Sequence, residues 1–210
     1  SEKYAHVTSF FNGGLSQALK GEERYIVTSP SNSKNYSDKP EMSAPELAQA
    51  LIDKILHSDH SLFVANFANP DMVGHTGNFE SAVKAVHCID LLLQQIMEAV
   101  LQVDAALIIT ADHGNIEQMI NPHTGQIDKD HSTSPVPFIL IANQFRYEKS
   151  LQRDYVSLSA HVPAGIISDI APTILSLLGL VKPAEMTGLD LLESLDSPSM
   201  TFQTPLPPAP

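Results

Sequence analysis

"AALIITADHGN", residues 105–115, is the stretch on which the fold turns. Residues 105–111 form a nearly continuous apolar run, the pattern of a parallel strand covered on both faces. Asp112, His113 and Gly114 follow at once. A charge this close to a core is unfavourable unless it is paired or bound to a metal. "VPFILIA", residues 136–142, is a second such run, and "SLFVANF", residues 61–67, also reads as a strand. Shorter strands are predicted at "YAHVTSF", residues 4–10, and "RYIVTSP", residues 24–30.

Helical patterns separate these runs. "SAPELAQALIDKILH", residues 43–57, opens with Ser43 and Glu46 at capping-box spacing and Pro45 in the first turn. Its Leu47, Leu51, Ile52 and Ile55 share one face. Residues 79–102 predict a long helix whose Val83, Val86, Ile89, Leu93, Ile96 and Val100 step by three and four. "ISDIAPTILSLLGL", residues 167–180, predicts a last helix, with Gly179 at its C-terminal cap. Strands alternating with helices predict an α/β domain with a mostly parallel sheet.

Ligands of such sheets bind at the carboxyl ends of the strands. Asp71 and His75, in "NPDMVGHTGN", follow residues 61–67; Asp112 and His113 follow residues 105–111; His131, in "KDHSTSP", precedes residues 136–142. Carboxylate oxygen and imidazole nitrogen together suit Mn²⁺ or Zn²⁺. Gly74, Gly77 and Gly114 allow close backbone approach or unusual angles beside them. Taken singly, such Asp-Gly and Asn-Gly clusters make turns; three after three strands favour a metal site. His57, His60, His87, His123 and His161 lie in helical or polar contexts and are read as non-ligands.

The chain has 210 residues, a net charge of −12 and 43% hydrophobic residues. That balance argues against a nucleic-acid or anionic-membrane surface, and no run is long enough to span a membrane. A single cysteine, Cys88, rules out an internal disulfide and fits a reducing cytoplasm. The opening "SEKYAHVTSFF" lacks Met and reads as a start within a longer protein, and the Pro-rich residues 196–210 read as a flexible tail behind a domain over residues 1–195.

Six segments occur in an order that resembles the C-terminal part of the cofactor-independent (2,3-bisphosphoglycerate-independent) phosphoglycerate mutases, within the alkaline phosphatase superfamily. They are "EKYAHVTSFFNGG", "PEMSAPE", "NPDMVGHTG", "TADHGN", "HSTSPVPF" and "DIAPTILSLLG" with "PAEMTG". The resemblance implies an alkaline-phosphatase-like three-layer sandwich, here incomplete, and a monomeric, cytoplasmic, glycolytic isomerase. Its substrates would be 3- and 2-phosphoglycerate, interconverted through a phosphoserine. It implies two divalent ions, Mn²⁺ foremost: Asp71, His75 and His131 on one, Asp112 and His113 on the second, with Lys3 reaching the substrate phosphate. The family's Asn-Ser-Glu-x-Gly-His segment with its nucleophilic serine does not occur here, nor do the early aspartate of the second metal site and the inserted transferase domain. No serine of this chain, Ser9 and Ser132 included, takes the nucleophile's place, so the chain alone is expected to be inactive. Three other readings remain: a phosphopentomutase or phosphodiesterase of the same superfamily, a non-catalytic metal-binding module, and an α/β fragment without metal.

Overall fold

The computed structural model describes residues 3–29, 35–145 and 162–194. The chain divides into two compact units, Ser1–Arg146 and Tyr147–Pro210. His161 and the tail at residues 196–210 lie outside the described residues.

In the first unit, helix α1 (Ala44–His57) packs along helix α3 (Phe79–Gln102). Ala44, Ala48 and Ile55 meet Leu92, Ile96, Ala99 and Val100, with Phe63, Phe67 and Leu107 closing over them. Ile96 is 1% exposed; burying such a side chain stabilises by about 1.5–3 kcal/mol. The short helix α2 (Asn69–Gly74) packs on the N-terminal half of α3, where Val73 meets Ala82 and Ala85, and Met119 completes the cluster. This contact corrects the expected face of α3. Val83 and Val86 are about half exposed, while Ala82 and Ala85 are buried. The small alanines, not the larger valines, let α2 approach closely.

Strand β1 (Leu107–Thr110) and strand β2 (Phe138–Ile141) pair antiparallel, Leu107 opposite Ile141 and Thr110 opposite Phe138. The domain is α/β, but this two-stranded ladder replaces the expected mostly parallel sheet among the described residues. The reason lies in the connection. Parallel neighbours need a crossover, usually a helix, whereas residues 111–137 hold one short 3₁₀ turn, Ile116–Gln118, and return on themselves. Two isolated bridges tie the excursion, Gly114 with Ser132 and Ile120 with Ile127. At its tip Asn121 donates from its amide to the Gln126 carbonyl, and Gly125 sits at φ +69° with open space around it.

Three other predicted strands are absent from the described residues. Residues 24–29 and 61–67 carry no strand ladder. Residues 4–10 instead begin with a 3₁₀ turn, Tyr4–Val7, and continue in turns. The predicted capping box of α1 is also not formed. The Ser43 hydroxyl donates 2.9 Å to the Thr28 carbonyl, fixing residues 24–29 to the helix start instead. The polar stretch before α1 is tied inward: the Asn69 amide donates to the Pro40 carbonyl at 2.8 Å and the Ser81 hydroxyl to the Ser37 carbonyl at 2.8 Å.

The second unit is described over residues 162–194. A 3₁₀ turn, Ile167–Asp169, leads into helix α4 (Ile170–Leu177). As predicted, Gly179 adopts positive φ, +68°, and the amides of Gly179 and Leu180 donate to the carbonyls of Ser176 and Leu175, a Schellman closure. The buried Asp169 carboxylate accepts from the amides of Ile166 and Leu189, each at 2.8 Å. These bonds hold its carboxyl below the ordinary range. Thr173, fully buried, donates to the Asp169 carbonyl and accepts from the Leu191 amide. The "DIAPT" and "PAEMTG" segments are thus one packed unit, in which a Cβ at Gly188 would collide with the Ser168 carbonyl.

Candidate metal centre

Asp71 and His75 lie four residues apart on α2 and its cap, so both side chains leave on one face of the helix. Gly74 and Gly77 beside them predict a permissive turn, but the structure makes the stretch through Gly74 helical, with Pro70 in the first turn. Their Asp71 Oδ1 to His75 Nε2 distance is 3.2 Å, and His131 Nε2 approaches the same oxygen to 3.3 Å. Lys3 Nζ sits 2.6 Å from the other oxygen, Oδ2. The Asn115 amide donates to Oδ1 at 2.6 Å and lies 3.1 Å from His75 Nε2. Burial pushes the Asp71 carboxyl up, but hydrogen bonds from Lys3 and Asn115, with the charges of Lys3 and His75, outweigh it and hold the group below its usual value.

The β1–β2 excursion supplies the rest. His113 stacks on His131 with ring centres 3.6 Å apart and planes 10° from parallel. Donor atoms of Asp71, His113 and His131 all lie within 4.8 Å of one another. Asp112 Oδ2 faces His113 Nε2 at 3.5 Å and His6 Nε2 at 3.6 Å. All six residues singled out from sequence therefore gather in one place: Lys3, Asp71, His75, Asp112, His113 and His131. His113 adjoins Asp112 and also joins Asp71 and His131, so the side chains form one continuous cluster.

Three neighbours escaped the sequence reading. His6 was hidden by the strand expected at residues 4–10, because residues three apart on a strand point to opposite faces. In the 3₁₀ turn that forms instead, positions i and i+3 eclipse, so Lys3 and His6 both face the cluster. Asn115 and Glu117 follow His113 at alternate positions, a spacing that carried no signal without the turn. Glu117 accepts from the Ser132 hydroxyl and, at 2.9 Å, from the Asn115 backbone amide. Gly74 makes room for Asn115: a Cβ there would lie 2.8 Å from Asn115 Oδ1.

The donor set suits a divalent cation of borderline softness, one hard oxygen with imidazole nitrogens. The close ion pair with Lys3 shows the Asp71 carboxylate already oriented toward positive charge. Of the histidines read as non-ligands, His57 pairs with Asp53 and is 70% exposed, and His60 tilts against Phe63. His87 and His123 are exposed. An apolar groove beside the cluster, lined by Tyr25, Ile26, Leu62 and Val64, has Lys3 at its edge and none of the Asp or His donors.

Comparison with known proteins agrees with this chemistry. Residues 1–182 match the metalloenzyme superfamily. The chain is 46% identical over 192 residues to a 2,3-bisphosphoglycerate-independent phosphoglycerate mutase of Pseudomonas fluorescens, covering 91% of this chain and 35% of that protein. The same figures hold for the protein of that name from Clostridioides difficile. Among solved structures, Leishmania mexicana phosphoglycerate mutase, crystallised at low cobalt concentration, superposes with a TM-score of 0.72 and 26% identity, covering 90% of this chain and 35% of that one. The chain thus spans about a third of the length of the relatives it matches. With a match across residues 1–182 and a cluster of Asp and His donors at the heart of the matched region, the chain belongs to the metalloenzyme superfamily.

Proposed function

We propose that this chain is the metal-binding portion of a cofactor-independent phosphoglycerate mutase, interconverting 3- and 2-phosphoglycerate in the cytoplasm. Residues 1–195 would belong to its phosphatase-like domain, a three-layer sandwich when complete, and residues 196–210 to a flexible tail. The convergence of Lys3, His75 and His131 on the Asp71 carboxylate carries the reading. Asp71, His75 and His131 would hold one divalent ion, and Asp112 and His113 part of a second, with Mn²⁺ the expected metal. His113 stands close enough to both groups to serve either.

Bound cations supply charge neutralisation for phosphoryl oxygens. The chain's own residues do the rest. Asn115 fixes the Asp71 carboxylate through its side-chain amide. Lys3 provides a mobile point charge, which would pass from Asp71 to a substrate phosphate once a cation neutralises that carboxylate. Such local positive charge allows a protein of net charge −12 to accept a phosphorylated acid. The Ser132 hydroxyl donates to Glu117 and accepts from the Ser134 amide, an arrangement that supports a structural role over a nucleophilic one. The net charge argues against a nucleic-acid or anionic-membrane partner and the single cysteine fits a reducing cytoplasm, while a monomeric protein is what the resemblance implies. No helix among the described residues is long and apolar enough to cross a membrane.

The test is an electron paramagnetic resonance titration of the chain with Mn²⁺, paired with a phosphoglycerate interconversion assay. Saturable binding is expected, without turnover by the 210-residue chain alone. Absence of Mn²⁺ binding by a folded sample would sink the metal-centre reading. Turnover at a rate typical of enzymes (roughly 1–1,000 s⁻¹) would sink the expectation that the chain lacks its nucleophile.

A further inference from the structure

The donors of the cluster come from three separate segments: α2, the turn after β1, and the approach to β2. A single carboxylate joins the last two. Glu117 accepts from the Ser132 hydroxyl with one oxygen and from the Asn115 backbone amide with the other. The Ser132 oxygen is held from a second side by the Ser134 amide at 3.2 Å, and the Ser132 amide donates 2.8 Å to the Gly114 carbonyl. A Cβ on Gly114 would run into both Ser132 Oγ and Glu117 Oε1, so a larger residue at this crossing would displace the clasp. Next to these bonded residues stand His113 and His131, stacked at 3.6 Å. Asn115, gripped through its backbone by Glu117, reaches with its side chain to Asp71 and His75 on the third segment.

We infer that Glu117 is a positioning residue for the metal centre: its carboxylate clasps the turn carrying His113 to the strand approach carrying His131 and sets their stack against Asp71. This rests on the metal-centre reading above and deepens it. The carboxylate touches none of the donor atoms; it acts through Ser132 and Asn115. Groups that orient ligands from behind commonly alter metal affinity by about 10–100-fold when removed. Glutamine at this position can keep both arms of the clasp, accepting from the Asn115 N–H and donating its N–H₂ to the Ser132 oxygen, and loses only the charge. Alanine removes both.

The test uses the 210-residue chain, wild type, Glu117→Gln, Glu117→Ala and Ser132→Ala. Mn²⁺ affinity is read by paramagnetic resonance, and the His131 ring-proton shifts are read by NMR on the metal-free chain. Far-ultraviolet circular dichroism confirms that each variant keeps its helices. The stacked His113 ring displaces the His131 proton signals, so those shifts report the clasp without any metal. The expected result is a loss of that displacement and a 10–100-fold weaker Mn²⁺ affinity in Glu117→Ala, with Ser132→Ala changing in the same direction and Glu117→Gln restoring part of both. Unchanged His131 shifts in the Glu117→Ala and Ser132→Ala variants overturn the inference, whatever the metal does. Moved shifts with unaltered Mn²⁺ affinity overturn it as well. A folded wild-type chain that binds no Mn²⁺ defeats the functional reading instead, and the ring shifts still decide whether the clasp exists.

Discussion

The imidazoles of His113 and His131 lie face to face, 3.6 Å between centres, although β1 and β2 leave them on opposite arms of the excursion. The stack follows from the antiparallel return of the chain: the Gly114–Ser132 bridge sets the two arms side by side, one residue beyond each histidine. His131 is therefore the donor most dependent on the excursion holding its shape.

Replacing it tests the centre directly. His131→Ala deletes a nitrogen 3.3 Å from Asp71 Oδ1 and also the ring beneath His113. Mn²⁺ affinity should fall by at least about 100-fold, beyond the usual effect of removing a group behind a ligand. An isothermal titration that finds less than a tenfold change would place the ion elsewhere.

Gly74→Ala should disturb the site from behind. The added methyl would stand 2.8 Å from Asn115 Oδ1 and 3.4 Å from the Ile116 Cα, so the Asn115 side chain must swing from Asp71 or α2 must shift. Overpacking of this kind costs about 1–3 kcal/mol. Chemical denaturation of the two proteins measures it, and an unchanged midpoint would show that Asn115 moves freely.

The turn after the first 3₁₀ segment predicts a dependence on acid. Hydrogen bonding from Arg24, then from the Leu19 amide and the Asn12 side chain, outweighs desolvation and lowers the Glu22 carboxyl to about 2. A carboxyl depressed in the folded state stabilises it above the unfolded-state value, and that contribution disappears as pH falls toward about 2. Glu22→Gln should therefore lower Tm at pH 6 and converge on the wild type near pH 2. Scanning calorimetry at both pH values decides; an equal gap at both would mean that ionisation of Glu22 plays no part.

In the second unit Thr173 is the place to cut. Thr173→Val keeps the shape but removes the donor to the Asp169 carbonyl and the hydroxyl that accepts from the Leu191 amide. The loss should be about 1–3 kcal/mol, seen as a lower urea midpoint for this unit. A neutral result would mean that the Leu191 amide finds another acceptor.

Residue chemistry was more legible than chain geometry. Asp71, His75, Asp112, His113 and His131 stood out because their types and their places after apolar runs carry the signal. The long helices were equally plain, since Ile89, Ile96 and Val100 repeat at helical spacing over many turns. Strand identity and direction were not. "SLFVANF" and "AALIITA" look alike as strings, yet only the second finds a ladder partner among the described residues. Pairing is a long-range property, and an apolar run does not name its neighbour. Side-chain size misled at α3, where tertiary contact with α2 selected Ala82 and Ala85 over Val83 and Val86. Lys3 was picked out by resemblance; its partner Asp71 is visible only in three dimensions.

The excursion between β1 and β2 has one further property. Its tip, beyond the Ile120–Ile127 bridge, folds on itself through Asn121 and turns at Gly125, where an added Cβ would meet nothing within 4 Å. The bridge separates that tip from the histidines as a knuckle separates a fingertip from the palm. Extra residues spliced in at 122–125 should hang in solvent and leave the donors undisturbed. The tip is thus a ready attachment point, where a fluorophore or an affinity handle can report on the centre without entering it.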